Sequence, residues 1–236
     1  MKNLFLKTSL IAAFALSASA QAITINSVAA DWFPTQLTNG TAATYINTDG
    51  VVGNEEIRWG GAATNAGQSG YRFDSSSVPA SADVDTTFSL GEFTHFNFPV
   101  YEPSLDNAQL NIALNFTLAG GITLDKIFSF SFDHDETTNS GVGNCCNDLV
   151  TVSNLVTTDV FVIGGVTHTL LLKGFLQNGS VVDSFSTVEN LANQATLIGS
   201  FSEFKPTTHG VPEPTPLLLF GLGLLSLIGA RRYKTK

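Results

Sequence analysis

The chain has 236 residues with 11 basic and 20 acidic side chains, which gives a formal net charge of −9. An acidic chain repels the phosphate backbone, so we exclude nucleic acid as a partner. The length fits one domain of ordinary size with short terminal segments.

The first 22 residues have the three parts of a secretory signal peptide. Lys2 and Lys7 supply the basic start, and residues 10–16 form a short apolar run. Ala20-Gln21-Ala22 is a small-x-small cleavage site, which predicts that the mature protein begins at Ile23. We therefore expect the chain to be exported across the inner membrane.

The segment between the termini is more acidic than the whole chain. From Ile23 to Glu213 it holds all 20 acidic residues but only five basic ones, a formal net charge of −15. Such a segment repels anionic head groups and stays soluble in an anionic polysaccharide matrix. We expect residues 23–204 to fold as one domain, because no change in composition divides them.

Alternation of apolar and polar side chains predicts strands in this domain. In residues 110–118 every second side chain is Leu, Ile or Phe. Phe128, Phe130 and Phe132 alternate with serines, which predicts a second strand with one aromatic face. Residues 195–201 are a further candidate strand.

Turn signals separate these runs. Gly164-Gly165 and Asn178-Gly179 each lie between two apolar stretches and are typical of tight hairpins. Residues 188–194 are the only segment that could form a short helix. The pattern favours an all-β fold, an antiparallel, jelly-roll-like β-sandwich, and a β-barrel is the alternative that spacing does not separate.

The segment Phe93-Thr94-His95-Phe96-Asn97 is the most distinctive part of the domain. In an extended chain Thr94 shares a face with Phe96, so we expect Thr94 to be partly buried. His95 and Asn97 share the other face, where they can hydrogen-bond each other, a backbone carbonyl or a ligand. A catalytic histidine would need a nucleophile or acid partner, and the chain has neither a Gly-x-Ser-x-Gly nor a His-Glu-x-x-His motif. We therefore expect His95 to have a structural role.

Acidic residues cluster after the phenylalanine-rich strand. The cluster consists of Asp133, Asp135, Glu136 and, further on, Asp148. Clustered carboxylates repel one another unless water or a cation screens them, and Ca²⁺ prefers oxygen ligands. The set is a candidate Ca²⁺ site, and the alternative is a solvated acidic loop, because its spacing matches no fixed calcium motif. No other cofactor is expected.

Cys145 and Cys146 are the only cysteines and are adjacent in the chain. In an oxidising compartment they can close a vicinal disulfide in a tight turn. An intermolecular bridge and free thiols are the alternatives. Two cysteines without neighbouring ligands do not predict a zinc site.

The C-terminal residues combine a turn, an apolar run and a basic end. After a linker at residues 205–211, Pro212-Glu213-Pro214 precedes residues 216–230, which carry no charged side chain. This run is short for a membrane span, but it is apolar throughout, and we expect it to form a single transmembrane helix. Arg231 and Arg232 follow directly and should stay on the cytoplasmic side.

This order of parts resembles the PEP-CTERM sorting signal, which exosortases process at the inner membrane of bacteria rich in exopolysaccharide. The resemblance implies that residues 212–236 are a sorting signal and that an exosortase is a partner. It also implies transient membrane contact, delivery to the cell envelope or extracellular matrix, and exopolysaccharide as a further candidate partner.

The domain itself carries a second resemblance. Thr94-His95-Phe96-Asn97 resembles the signature of the THxN family of PEP-CTERM proteins, and the domain is also similar to choice-of-anchor domains. Trp32, Arg58-Trp59-Gly60 and residues 67–73 fit the same resemblance. These families bring no known activity, so the resemblance implies kinship and no function.

The first functional hypothesis is a non-enzymatic, exosortase-processed envelope or matrix protein associated with exopolysaccharide or biofilm. The alternative is a carbohydrate-binding or adhesive module, with Ca²⁺ as a candidate ion. That alternative requires exposed aromatic rings, and the candidates are Trp32, Tyr45, Trp59, Tyr71 and Tyr101. A hydrolase that uses Asp133 and Asp135 ranks last, because no further feature of the chain indicates a cleft.

Overall fold

The computed structural model describes residues 22–33, 35, 37–47, 55–137, 147–153 and 156–204, with only the backbone at 156–158. The described residues belong to a compact unit that ends at Phe204. The signal peptide, the Cys145-Cys146 pair and everything from Lys205 onward lie outside them. No helix in these ranges has the length and apolar character needed to span a membrane.

The described residues form 16 β-strands and no helix. The strands are β1 (Ala22–Trp32), β2 (Thr44–Ile46), β3 (Glu56–Trp59), β4 (Gly61–Ala62), β5 (Ser69–Ser75), β6 (Ala80–Asp83), β7 (Thr87–Asn97), β8 (Val100–Tyr101), β9 (Asn107–Thr117), β10 (Thr123–Asp135), β11 (Asp148–Val152), β12 (Val156–Ile163), β13 (Val166–Gln177), β14 (Ser180–Val182), β15 (Ser184–Thr187) and β16 (Leu191–Glu203).

Two antiparallel sheets contain most of these strands. The first sheet has six strands in the order β15-β11-β10-β9-β1-β6. The second has eight, in the order β12-β13-β16-β7-β5-β3-β2 with β14 paired to β13. Rings from the two sheets contact each other, as when Phe132 of β10 stacks on Phe93 of β7 at 5.3 Å between centroids. The all-β, sandwich-type fold predicted from the sequence is confirmed.

The apolar alternation places the core as expected. On β9, Leu110, Ile112, Leu114 and Phe116 are buried while their neighbours are at least partly exposed. On β10, Phe128, Phe130 and Phe132 are fully buried between exposed or half-buried residues. These inward side chains form one continuous core between the sheets.

Both predicted hairpin turns are present. Gly164 and Gly165 join β12 to β13 with φ values of 58° and 85°, which glycine adopts without steric cost. Asn178 and Gly179 join β13 to β14, also with positive φ.

The helix considered for residues 188–194 is wrong. Residues 189–190 form a turn, and β16 begins at Leu191, which lies opposite Asn97 of β7. The Asn193 side chain binds both the amide and the carbonyl of Val188, so the turn is closed by a side chain. Pairing with β7 therefore overrides the weak helical preference of this segment.

Candidate functional site

Two histidines and a carboxylate meet inside the sandwich. His95 comes from β7 in the eight-stranded sheet, His134 from β10 in the six-stranded sheet, and Asp148 begins the neighbouring β11. One potential ligand atom of each residue lies within 4.8 Å of the other two. With Asn97 and Thr187, which hydrogen-bond to His95 or to each other, these residues form what we call the histidine cluster.

Thr187 holds the first histidine in place. The Thr187 hydroxyl donates to the backbone carbonyl of Asp148 at 3.2 Å and contacts His95 Nδ1 at 2.8 Å. Asn97 Nδ2 donates to the Thr187 carbonyl at 3.1 Å. His95 and Asn97, both 0% exposed, are therefore tied to the last residue of β15 across the sandwich.

Tyr71 and Glu136 hold the second histidine. The Tyr71 hydroxyl lies 2.6 Å from His134 Nδ1, and Glu136 Oε2 lies 3.0 Å from His134 Nε2. The ring is fixed at both nitrogens, and its side chain has no solvent exposure.

Asp148 faces the same space with one oxygen. Its Oδ1 accepts hydrogen bonds from the backbone amide and the hydroxyl of Thr137, at 2.9 and 3.1 Å. Its Oδ2 lies 3.9 Å from His134 Nε2 and has no hydrogen-bond partner among the described residues. The carboxylate is thus oriented through one oxygen, while the other is available for a ligand.

Aromatic rings close the cluster on one side. The Trp59 indole stacks on His95 at 6.1 Å and meets His134 edge-on at 5.3 Å. The Tyr71 ring contacts both histidines at 5.1 and 5.6 Å. Since Trp59 and Tyr71 are buried, the imidazoles lie in a medium of low dielectric constant.

Burial and like charges make ionisation of the carboxylates costly. Burial, followed by the charge of Glu136, raises the pKa of Asp148 to about 6. Burial, followed by the charges of Asp148 and Glu136, raises the pKa of Glu189 to about 7. Three acidic side chains therefore interact electrostatically at one end of the core.

The neighbouring imidazole and phenol are held neutral. Burial, and then the charge of His134, lowers the pKa of His95 well below its usual value. Burial and the nearby carboxylates, Asp148 first, raise the pKa of Tyr71 well above its usual value. A neutral imidazole has a lone pair that can bind a metal ion.

Unsatisfied polar atoms concentrate at this place. Of the nine buried side-chain atoms without a hydrogen-bond partner in the described ranges, five belong to His95, Asn97, Asp148 and Glu189. Each such atom costs about 1–3 kcal/mol of folding free energy if nothing binds it. His95 Nε2 and Asp148 Oδ2, which have no protein partner in the described ranges, could hold a divalent metal ion together with His134.

The structure places the four residues predicted to bind Ca²⁺ in two separate locations. β10 continues to Asp135, so alternation turns Asp133 and Asp135 outward and His134 inward. Asp133 accepts a hydrogen bond from Asn107 at 2.7 Å on the exposed face. Glu136 and Asp148 lie with His134, so the four carboxylates do not form one group. The expectation that the loop begins at Asp133 is wrong, because pairing with β9 and β11 extends the strand.

The other predicted residues fall in different places. Thr94 is 1% exposed on the face opposite His95, and its hydroxyl has no partner in the described part of the chain. Cys145 and Cys146 lie outside the described residues, as do the sorting residues Pro212, Glu213, Pro214, Arg231 and Arg232.

The expected exposure of the aromatic rings is wrong for most of them. Trp32, Trp59 and Tyr71 are at most 1% exposed, and Tyr45 is half-buried against the core. Tyr101 is 69% exposed. The sandwich uses these rings as core, because two sheets of this size need large side chains to fill the space between them.

Sequence reasoning did not single out His134, Thr187 and Glu189 as site residues, and it predicted Tyr71 as an exposed ring rather than as a partner of the histidines. For His134 a signal exists, because it continues the spacing of Phe128, Phe130 and Phe132 and so belongs to the inward face. Thr187 and Glu189 reach the cluster only through the pairing of β15 with β11, which no local pattern indicates.

Comparison with known families identifies the C-terminal segment. Residues 210–232 match the family model of the PEP-CTERM protein-sorting motif. The chain carries a PEP-CTERM motif. This match supports an exported protein that is targeted to an exosortase at the membrane and reaches the cell envelope or the extracellular space. None of the curated proteins matches the chain.

Proposed function

We propose that the protein is a non-enzymatic component of the cell envelope or extracellular matrix, where it associates with exopolysaccharide in biofilm. The observation that carries the proposal is the PEP-CTERM motif at residues 210–232, downstream of a compact β domain that ends at Phe204. The motif would direct the protein to the cell envelope, and the β domain is the part that would remain outside the inner membrane.

The burial of the polar residues supports a structural role. His95, Asn97 and Asp148 are 0% exposed, so a dissolved substrate could not touch them without opening the sandwich. Asp133 and Asp135, the pair considered for hydrolysis, lie on the outer face of β10. The burial of the histidine cluster therefore favours a structural role over a catalytic one.

The acidity of the domain suits an extracellular matrix. A formal net charge of −15 over residues 23–213 keeps the domain soluble and disfavours its adsorption to anionic lipid. Retention near the cell would then depend on the sorting motif.

We further propose kinship with the THxN family. The residues that carry that resemblance are distant in the chain, yet Trp59, Tyr71, His95 and Asn97 all lie in or against the histidine cluster. Trp32 packs on Tyr71 at 5.6 Å from the other sheet. Because these residues meet in one place, their contacts within the core supply a common structural reason for the residues of the THxN resemblance.

A carbohydrate-binding or adhesive module is the second candidate. Tyr101 and Phe33 are exposed aromatic side chains, at 69% and 50%. The buried state of Trp32, Trp59 and Tyr71 removes three of the five rings on which this candidate depended.

Deletion of residues 212–214 should leave an unprocessed protein in the membrane fraction, because the exosortase would lose its recognition turn. The experiment compares the mature masses and the membrane and matrix fractions in a host that has an exosortase. The matched control is Pro206→Ala, which removes a proline outside the matched residues 210–232.

Treatment of the matrix with polysaccharide-degrading enzymes should release the wild-type protein.

An unchanged mature mass in the deletion variant would contradict the sorting step. Release of the wild type by salt alone would contradict the association with polysaccharide. Specific binding to a glycan array that Tyr101→Ala abolishes would favour the second candidate.

A further inference from the structure

We propose that the histidine cluster is a structural site for a divalent transition metal ion of the Zn²⁺ class. The ligands are Nε2 of His95, Nε2 of His134 and Oδ2 of Asp148. The ion would join the two sheets at this end of the sandwich, and this role is independent of the sorting and matrix association proposed above.

The hydrogen bonds of Thr187 determine the tautomer of His95. The Thr187 hydroxyl has one proton, and it donates that proton to the Asp148 carbonyl. Its oxygen therefore accepts from His95 Nδ1, which must carry the ring proton. His95 Nε2 then has a bare lone pair that is buried and has no protein partner within the described ranges.

This arrangement is the one that metal-binding histidines need. A ligating imidazole usually donates its other N–H to an oxygen, which fixes the ring and makes the ligand more basic. His95 donates to Thr187. In the metal-free protein the Glu136 carboxylate accepts from His134 Nε2–H, and binding of the ion would shift that ring proton to Nδ1, which lies 2.6 Å from the Tyr71 oxygen that would accept it. Both rings can thus present Nε2 to the same ion.

The surrounding charge favours a cation. The carboxylates of Glu136 and Asp148 both approach His134 Nε2, at 3.0 and 3.9 Å, so their like charges repel each other. A divalent ion converts that repulsion into attraction. Glu136, whose Oε2 lies 3.0 Å from His134 Nε2, is placed to become the fourth ligand when that nitrogen binds the ion.

The donor set indicates the class of metal. Ca²⁺ prefers a shell of oxygen ligands alone, whereas imidazole nitrogen suits Zn²⁺ and its neighbours in the first transition row. Two of the three donors here are imidazoles. The site therefore differs from the Ca²⁺ site expected from the acidic residues, both in its ligands and in its ion.

The position of the ligands indicates the role of the ion. His95 lies on β7 of one sheet, while His134 and Asp148 lie on β10 and β11 of the other. A bound ion would cross-link the two sheets in addition to side-chain packing and to hydrogen bonds such as that from Asn97 to Thr187. Because the ligands come together only in the folded state, binding free energy adds directly to folding free energy.

The test uses the full chain, purified in detergent through a histidine-free tag and stripped with EDTA. Zn²⁺ is then titrated against a chelator of known affinity, and bound metal per chain is measured by elemental analysis. Co²⁺ provides a visible spectrum that reports nitrogen and oxygen ligands in a four-coordinate site. We expect one bound ion per chain, with no displacement by an equal concentration of Ca²⁺.

Variants assign the ligands. His95→Gln and Asp148→Asn should abolish the site, and Thr187→Val should weaken Zn²⁺ affinity roughly 10–100-fold, since it removes only the partner that orients His95. His168→Gln is the matched control, because His168 is a buried histidine that packs on Phe161 away from the cluster. This control should leave affinity unchanged.

Selective ¹⁵N labelling of the four histidines keeps the test decisive if a variant fails to fold. Zn²⁺ should move the Nε2 resonances of His95 and His134 in the wild type and leave the other two in place. The proposal is overturned if the wild type binds no Zn²⁺, if affinity is unchanged in folded His95→Gln or Asp148→Asn protein, or if the shifted resonances belong to other histidines.

Discussion

The two ends of the sandwich core are filled with different chemistry. At one end, Phe116 contacts Phe161 and Phe201 at 4.9 and 5.2 Å between ring centroids, and Phe88 contacts Phe201 at 5.1 Å. We call these four residues the phenylalanine end. At the other end lies the histidine cluster. Both are buried between the same two sheets, so the comparison isolates what the side chains contribute.

The phenylalanine end is complete with its own side chains, because apolar contact and exclusion of water need no further partner. The histidine cluster is not complete, since His95, Asn97 and Asp148 each keep a buried atom without a hydrogen bond in the described residues. A protein that only needed a stable core would gain more from apolar side chains there. The metal ion proposed above would give these unpartnered polar atoms their ligand.

Truncation of the phenylalanine end should give the largest effect. Phe116→Ala removes a fully buried ring and should lower the free energy of unfolding by about 3–5 kcal/mol. Urea denaturation followed by the fluorescence of the buried Trp32 and Trp59 measures it. The loss should be equal in Zn²⁺ and in EDTA, and Phe33→Ala, at a half-exposed ring, should change stability little. A loss of unfolding free energy that differs between Zn²⁺ and EDTA would contradict the distinction between the phenylalanine end and the histidine cluster.

Zn²⁺ should stabilise the wild type by about 2.7 kcal/mol when its free concentration is a hundred times the dissociation constant. EDTA should reverse the gain. Phe116→Ala should keep the full gain and His134→Gln should lose it, as judged by the same urea titration. A gain of equal size in His134→Gln would place the ion elsewhere.

Asp148→Asn should have opposite effects with and without metal. The pKa of Asp148 is raised from 3.8 to about 6 in the folded state, so its ionisation opposes folding. That penalty is absent below pH 3.8, grows as the pH rises towards 6 and is constant above. In EDTA at pH 7.5 the variant should therefore be more stable than the wild type by about 1–3 kcal/mol.

This difference in EDTA should shrink as the pH is lowered from 6 to 4. In Zn²⁺ the variant should instead be the less stable protein, because it lacks a ligand. Asp135→Asn, at an exposed carboxylate on the neighbouring strand β10, serves as the control and should show neither effect. Equal stability of Asp148→Asn and wild type in EDTA at every pH would contradict the charge argument.

Tyr71→Phe should give the smallest effect. It removes the hydroxyl that lies 2.6 Å from His134 Nδ1 but keeps the ring, so the cost should be about 0.5–1.5 kcal/mol. Tyr101→Phe, at an exposed ring, is the matched control for loss of a phenol. If both variants behave alike in urea, the Tyr71 hydroxyl has no orienting role.

The fold was predictable because its determinants are local. Alternation along β9 and β10 identifies the inward side chains. Gly164-Gly165 and Asn178-Gly179 mark turns because each of these residues adopts the positive φ angle that a tight hairpin needs. Where local preference was weak, as at residues 188–194, pairing with β7 decided the structure and the prediction failed.

The site was only partly predictable because its determinants are not local. His95 and Asn97 were recognised as a pair on one face, and both bind Thr187, which lies 90 or more residues away. The spacing of the acidic residues predicts one loop, whereas continued pairing of β10 turns Asp133 and Asp135 outward. Which carboxylate meets which histidine depends on sheet packing, and a single sequence contains no local signal for it.

The most direct test of the account is the position of the metal ion in a crystal grown with Zn²⁺. Anomalous difference density at the zinc absorption edge should show a peak about 2.0–2.2 Å from Nε2 of His95, Nε2 of His134 and a carboxylate oxygen of Asp148. A crystal with no anomalous peak between these three side chains, or with its strong peak at other residues, would contradict the account.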